Sequence, residues 1–443
     1  MSVFEISEIG KFIRKVRKER SLRLEDLSDE QISTATISNI ERGVPHVNKE
    51  KVYYLMQKLG LNANDLPSML MRDTENMETM QLKLMAIESM IRMDEHEKAY
   101  KKLCNISDAT REEYASMFHS LRGRYFLKTN EWKKAERELI DSNRFISQEN
   151  EVKNNLEAIN FNYLAYLQYI QNDLQQALIY AERGLDVYRE ELVDPEQIKY
   201  VLMTNRVIYL EKLGKTDEAL KRLDELWVYL PIVRKTEIIL PMYALRADLY
   251  RRMKLYSDAI RYAREGIQIA TTSSFYNEMF QIWTILGTIY VEQNNLNDAE
   301  TCFSYILDLE SRVAQKQELV RAYCSLGNLY LLQGKSDESK RILQQAISWA
   351  EKLNDALKLS NALIIMGRLM KTMGQQEEGV HYLMQAAQIA EQHDYSQKQF
   401  LACYELASCY DSIGDKKRFQ EAIDQMYQAQ RKVDQKQALF DVW

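Results

Sequence analysis

The chain has 443 residues, of which 28% are charged and 46% hydrophobic, with 14 Gly, 5 Pro and a formal net charge of −6. Scarce Gly and Pro beside abundant Leu, Ala, Glu, Gln, Lys and Arg argue for helix and against a strand-rich fold. The negative balance excludes a global attraction to nucleic acid, so any such binding is local. No apolar run approaches the roughly 20 residues that span a bilayer, and no basic segment followed by an apolar core opens the chain. Five dispersed cysteines lack C-x-x-C spacing. The expectation is a cytoplasmic chain with reduced thiols and no membrane partner.

Residues 1–66 predict a small helical domain. Ile9 to Arg17 is an amphipathic helix in a basic neighbourhood that includes Lys11, Arg14, Lys15, Lys18 and Arg20. A polar turn at Glu19 to Ser21 leads to a short helix, Leu24 to Ser28. The stretch from Ile32 to Gly43 then opens on a capping serine and closes on a helix-stopping glycine. Val52 to Leu59, then Leu61 and Leu66, complete the apolar set. The motifs I-S-x-x-x-I-S-N-I-E-R-G (Ile32 to Gly43) and I-R-x-x-R (Ile13 to Arg17) resemble the helix-turn-helix of the phage-repressor and Xre class. The turn between Ser28 and Ser33 is about a residue shorter than the common pattern of that class. The resemblance implies DNA binding, with Arg17 and Glu41 paired inside the domain.

Physics points the same way. A recognition helix presents short polar side chains at its N-terminal end because bulky ones would hold it off the base edges. Ser33, Thr34, Ala35, Thr36, Ser38 and Asn39 meet that need, and Arg42, Lys15 and Lys18 are the candidate phosphate contacts. An ordinary capped surface helix is also rich in Ser and Thr at its start. The basic first helix and the I-E-R-G ending favour DNA. Residues 67–80 lack clear periodicity and are read as a linker.

From residue 81 to 443 the chain repeats with a period of about forty residues. The small residue Gly287 recurs as Gly327, Gly367 and Ala407, and upstream as Ala247, Val207, Ala165, Gly123 and Ile87. Twelve residues past each origin stands a second small residue in most units, from Ala99 through Ala299 to Ser339 and Gly379, until Phe419 breaks the pattern. Two helical patterns per unit, with a glycine or polar turn between them at Gly214, Asn294-Asn295, Gly334, Gly374 and Gly414, are the mark of stacked helical hairpins. The W-x-x-L-G-x-x-Y run from Trp283 to Tyr290, with Ala299 and Phe303 behind it, resembles the tetratricopeptide repeat, lengthened by about six residues over the usual 34. About nine units fit. The fold class is therefore all-α: an N-terminal helix-turn-helix domain followed by a right-handed tetratricopeptide-like superhelical solenoid.

The first helix of each unit is expected to line the concave face, with offsets −3, +1, +4 and −6 from the origin pointing inward. Those offsets nominate Asn162, Tyr166, Asp248, Gln281, Thr284, Arg321, Asn328, Asn361 and Arg368 as peptide-binding residues. Asn holds a peptide unit through both its donor and its acceptor; Arg321 and Arg368 suit a carboxylate and Asp248 a basic group. No catalytic motif stands out, and His381 and His393 with Cys403 and Cys409 fit no standard zinc spacing. Neither an enzyme nor a cofactor is expected.

A repressor-type domain followed by tetratricopeptide-like units resembles the peptide-sensing regulators of Gram-positive bacteria, the Rap, NprR, PlcR and PrgX group, and most closely its NprR branch. The resemblance implies a quorum-sensing transcriptional regulator that binds a double-stranded DNA operator and is switched by a short linear signalling peptide in its groove. It also admits a Rap-like action on a response-regulator protein; a DNA-bound scaffold that recruits a protein partner is the other alternative. A homodimer is expected, formed through the last units, where Phe419 and the apolar run from Ala438 to Trp443 leave large side chains at an open end.

Overall fold

In a computed structural model, the structure describes residues 6–44, 47–62, 65–106, 114–148, 154–192, 194, 197–273, 275–312 and 316–438. Every α or 3-10 element among them is helical, with no strand. The chain divides into two compact units, Met1–Asp194 and Pro195–Trp443.

The first unit begins with α1 (Ile6–Glu19), α2 (Leu24–Leu27), α3 (Thr34–Glu41) and α4 (Lys49–Lys58). Their apolar faces close over Ile13, Ile37, Ile40, Leu55 and Leu59, all fully buried. At Gly10 a Cβ would lie 2.1 Å from the Ile40 carbonyl oxygen, so only glycine lets α1 and α3 meet backbone to backbone. Asp29 builds the turn into α3: its carboxylate accepts the N–H groups of Gln31 and Ile32, the Tyr54 hydroxyl at 2.6 Å and the Lys58 ammonium at 2.5 Å. Those bonds, Lys58 foremost, hold this carboxyl well below the usual range.

One helix, α5 (Leu66–Arg92), runs from this domain into the repeats. Leu66 and Leu70 sit in the first core, and Leu84, Ile87 and Ile91 in the next. The stretch 67–80, expected as a linker, is thus helical. Pro67 stands in the first turn, where its missing N–H costs no bond, and the Met, Leu and Glu residues after it are good helix formers. Arg124, fully buried, reaches back to Glu88 on α5 and ties it to the next hairpin.

α5 pairs with α6 (His96–Cys104), α7 (Ala115–Lys128) with α8 (Trp132–Gln148), and α9 (Leu156–Ile170) with α10 (Leu174–Val187). In the second unit α11 (Ile198–Lys212) pairs with α12 (Thr216–Trp227), α13 (Thr236–Arg252) with α14 (Tyr256–Ser273), and α15 (Tyr276–Glu292) with α16 (Leu296–Asp308). Three more pairs follow: α17 (Lys316–Leu332) with α18 (Ser336–Lys352), α19 (Ala356–Thr372) with α20 (Gln376–Gln392), and α21 (Ser396–Ile413) with α22 (Lys416–Ala438).

The repeat follows from two contacts. A Cβ on Gly123, Gly287, Gly327 or Gly367 would lie 2.5–2.7 Å from Leu139, Phe303, Leu343 or Leu383, the residue sixteen further on in the partner helix. The glycine is the hole that this large side chain fills. At the second small site, the Ser339 hydroxyl donates to the Gly327 carbonyl at 2.7 Å, and a Cβ at Gly379 would lie 3.0 Å from that of Gly367. Each hairpin then turns on a residue of positive φ seven past the origin: Asp94, Asn130, Asn172, Gly214, Lys254, Asn294, Gly334, Gly374 and Gly414. Phe419 is half-buried, packed on the last core, while Leu439 to Trp443 lie outside the described residues.

Candidate functional site

In the N-terminal domain, α3 carries its apolar side inward through Ile37 and Ile40. Ser33 caps it, accepting the Thr36 N–H at 3.2 Å, with the two hydroxyls 2.9 Å apart. Ser33, Ala35 and Arg42 are exposed; Thr34, Thr36, Ser38 and Asn39 are half-buried. Arg42 donates to the Asn39 side-chain oxygen at 2.6 Å, which fixes the end of this row. On α1, Lys18 is exposed and Lys15 half-buried. Arg17 and Glu41 pair within the domain through two bonds of 2.6 and 2.8 Å, and Arg17 also donates to the Leu22 carbonyl. Neither is available to a partner, since breaking such a pair strands a buried charge.

In the first unit the candidate groove residues Asn162 and Tyr166 lie on α9, with Tyr166 49% exposed. The other candidates lie in the second unit, on the first helices of successive hairpins, which pack side by side. Asp248 is half-buried and bound: its oxygens accept from Arg251 at 2.9 Å and Arg252 at 3.0 Å. Arg252 reaches on to Glu211 of α11 and Arg251 to Glu292 of α15, so a five-residue ion-pair ladder spans three hairpins. Burial works against the Asp248 charge, but the two guanidiniums outweigh it and hold the carboxyl below its ordinary range.

Thr284, expected on the inner face, is only 2% exposed, and its hydroxyl donates to the Phe280 carbonyl at 2.8 Å. Its counterparts Thr204, Ala244, Cys324 and Ile364 are buried too. At 100° per residue an offset of −3 falls about 60° from the origin, on the flank where the next helix packs. Offsets +1 and −6 lie farther round and keep solvent contact: Thr288, Asn328 and Arg368, and Gln281 and Asn361, are half-buried, and Arg321 is exposed.

Between α19 and α21 the face becomes basic. Asn361 accepts from Lys398 at 2.7 Å; Arg368 donates through Nε to Glu405 at 2.7 Å; Lys371 reaches Glu405 at 3.3 Å and the Ser408 hydroxyl at 2.8 Å. Lys398, Glu405 and Ser408 were not anticipated, because they matter only through the neighbouring helix. The available signal was the charge at matching depths in adjacent first helices. Burial lowers the Lys398 pKa, and the charge of Arg368 adds to the effect. Among the described residues no group of His, Cys, Asp and Glu side chains is placed to hold a metal, and no helix is long and apolar enough to cross a membrane.

Hairpins of this geometry, stacked first helix against first helix, define an all-α helical-repeat protein of tetratricopeptide type. The tetratricopeptide repeat family matches residues 278–352 and 318–392. No curated protein sequence matches the chain. Among solved structures, the chain is similar to a Rap protein complexed with Competence and Sporulation Factor, at 12% identity and a TM-score of 0.60, over 81% of this chain and 99% of that one. It is similar to the apo quorum sensor NprR from B. thuringiensis at 12% identity and a TM-score of 0.56, over 84% and 99% of the two chains. NprR in complex with its cognate peptide NprX matches at 14% identity and a TM-score of 0.50, over 78% and 87%. At these identities the likeness is one of fold.

Proposed function

We infer that this chain is a peptide-sensing transcriptional regulator: a dimer that binds an operator through a helix-turn-helix formed by α2 and α3, and changes that binding when a short peptide occupies the first-helix face of its repeats. The observation that carries this reading is the pairing of two features in one chain. α3 turns Ser33, Ala35 and Arg42 to solvent while Arg17 and Glu41 neutralise each other inside. The repeats have the fold of NprR, whose complex contains a cognate peptide. Asn328, at the middle of the second unit's face, has no side-chain hydrogen bond to another described residue, so its amide is available to a peptide unit. A ligand that touches several hairpins favours one curvature of the stack over others, which is the physical basis of a switch.

The test is calorimetric titration of the full chain with peptides of five to eight residues encoded by small secreted reading frames beside the gene. One binds with micromolar or better affinity, and Asn328→Ala weakens it at least tenfold with helical content unchanged, the loss of a bidentate amide contact. Equal binding by parent and variant places the ligand elsewhere. A second reading, action on a protein partner such as a response regulator, is supported by the likeness to a Rap protein, whose TM-score of 0.60 stands above the 0.56 of apo NprR. Enrichment of no sequence from a random duplex pool, together with capture of a purified receiver domain, decides for it.

A further inference from the structure

The seam between α19 and α21 holds three cations and one carboxylate: Arg368 and Lys371 pair with Glu405, while Lys398, near enough to feel the Arg368 charge, bonds the Asn361 oxygen instead. Arg368 spends only Nε on that carboxylate, and its terminal nitrogens hydrogen-bond no described residue. Lys398, half-buried, gives one N–H to the neutral Asn361 oxygen and meets no carboxylate among the described residues. The nearby Asp355 carboxylate is taken by Lys358, through its backbone N–H at 3.0 Å and its ammonium at 2.7 Å. Ser408 is a hydroxyl already used by Lys371, and Cys324, on the neighbouring helix, has its thiol pushed up to about 12 by burial. Charges left partly unpaired in a half-buried place are costly unless an anion completes them. A planar guanidinium fork beside an ammonium fits a carboxylate.

We propose that this seam is a carboxylate site, in which an anionic group of a bound peptide docks between the Arg368 guanidinium and the Lys398 ammonium. This deepens the peptide-sensing reading and rests on it. It also gives the ligand a direction: the ladder of Glu211, Asp248 and Glu292 with Arg251 and Arg252 carries one more acid than base, so the acidic end of the peptide lies toward α21. The shared chemistry comes from either a terminal carboxylate or an Asp or Glu side chain.

Three mixed hexapeptide pools, labelled at the N-terminus with an uncharged BODIPY dye and titrated by anisotropy against the full chain, test the proposal and separate those sources. One pool has a free C-terminus, one is C-terminally amidated, and one is amidated and lacks Asp and Glu. The free pool binds at least roughly tenfold more tightly than the amidated pool without acids, as expected for charge-assisted hydrogen bonds. The amidated pool with acids matches the free pool if side chains are read, and falls to the acid-free level if the terminus is read. Lys398→Met and Arg368→Met each abolish the preference, and Glu405→Gln, which removes the internal competitor, tightens the free pool. Lys398→Met does not lower the thermal midpoint, because it removes an ammonium that lacks a carboxylate. Equal affinity for all three pools overturns the carboxylate site while leaving the peptide reading in place. Binding of none overturns both.

Discussion

Lys254 holds a left-handed conformation, φ 61°, at the turn position that Gly214, Gly334, Gly374 and Gly414 occupy in other hairpins. A Cβ there is strained, so Lys254→Gly raises the stability of the second unit by about 1 kcal/mol, read as a higher urea midpoint at an unchanged slope. The glycine and Asn294 turns were legible from the repeat alone, whereas a lysine carries no sign of the conformation imposed on it. Cysteine burial makes another prediction. The Cys302 and Cys324 thiols are pushed up to about 12 and Cys403 to about 11, all by burial, while Cys104 is exposed. Against a thiol reagent at pH 8 the native chain therefore shows one fast thiol, Cys104, and the buried four react at the rate of opening. Four fast thiols would mean a loosely packed array. Thr284 marks the limit of reading single positions: its repeat offset was legible, but whether that flank meets water or the next helix depends on packing between repeats.

Helices report their own ends well and their neighbours poorly. The Ser33 cap and the Gly43 stop follow from local motifs, whereas the Arg17–Glu41 pairing came only from the resemblance to the repressor-type helix-turn-helix. The contact of Gly10 with Ile40 follows from neither, since nothing near Gly10 names its partner. Gly10→Ala forces α1 off α3 and destabilises the N-terminal domain by about 1–3 kcal/mol. It unfolds that domain at a lower temperature while the repeats keep theirs, which two resolved transitions in calorimetry report. Gly287→Ala does the same to the second unit, because its Cβ would meet the buried Phe303 ring at 2.5 Å. On α3, replacing Thr34 and Asn39 with Ala relaxes base preference by about 1–3 kcal/mol per lost contact. Lys18→Ala weakens all duplexes alike and reduces the salt slope by about one. Equal losses on selected and random duplex after the Thr34 and Asn39 changes would count against α3 as the reading helix. The helical state of 67–80 was hidden because its sequence shows no regular apolar stripe, while good helix formers without a breaker suffice for a helix.

For the chain as a whole, the period was the strongest signal: a glycine and the large residue sixteen later are one contact repeated, and repetition makes it visible without knowledge of the fold. Polar chemistry on the inner face was less visible. Asn361 and Arg368 were found from their own offsets, but Lys398 and Glu405 join them only across neighbouring hairpins. If peptide binding and DNA binding are coupled, the coupling is reciprocal and of the order of 1–3 kcal/mol, about 5- to 150-fold in affinity. The decisive measurement is the anisotropy of a labelled duplex, selected from a random pool by the full chain, titrated with and without saturating peptide at fixed salt. The predicted result is a shift of at least fivefold in duplex affinity that Asn328→Ala removes while leaving peptide-free binding unchanged. Identical duplex affinity with and without a peptide shown by calorimetry to be bound would contradict it.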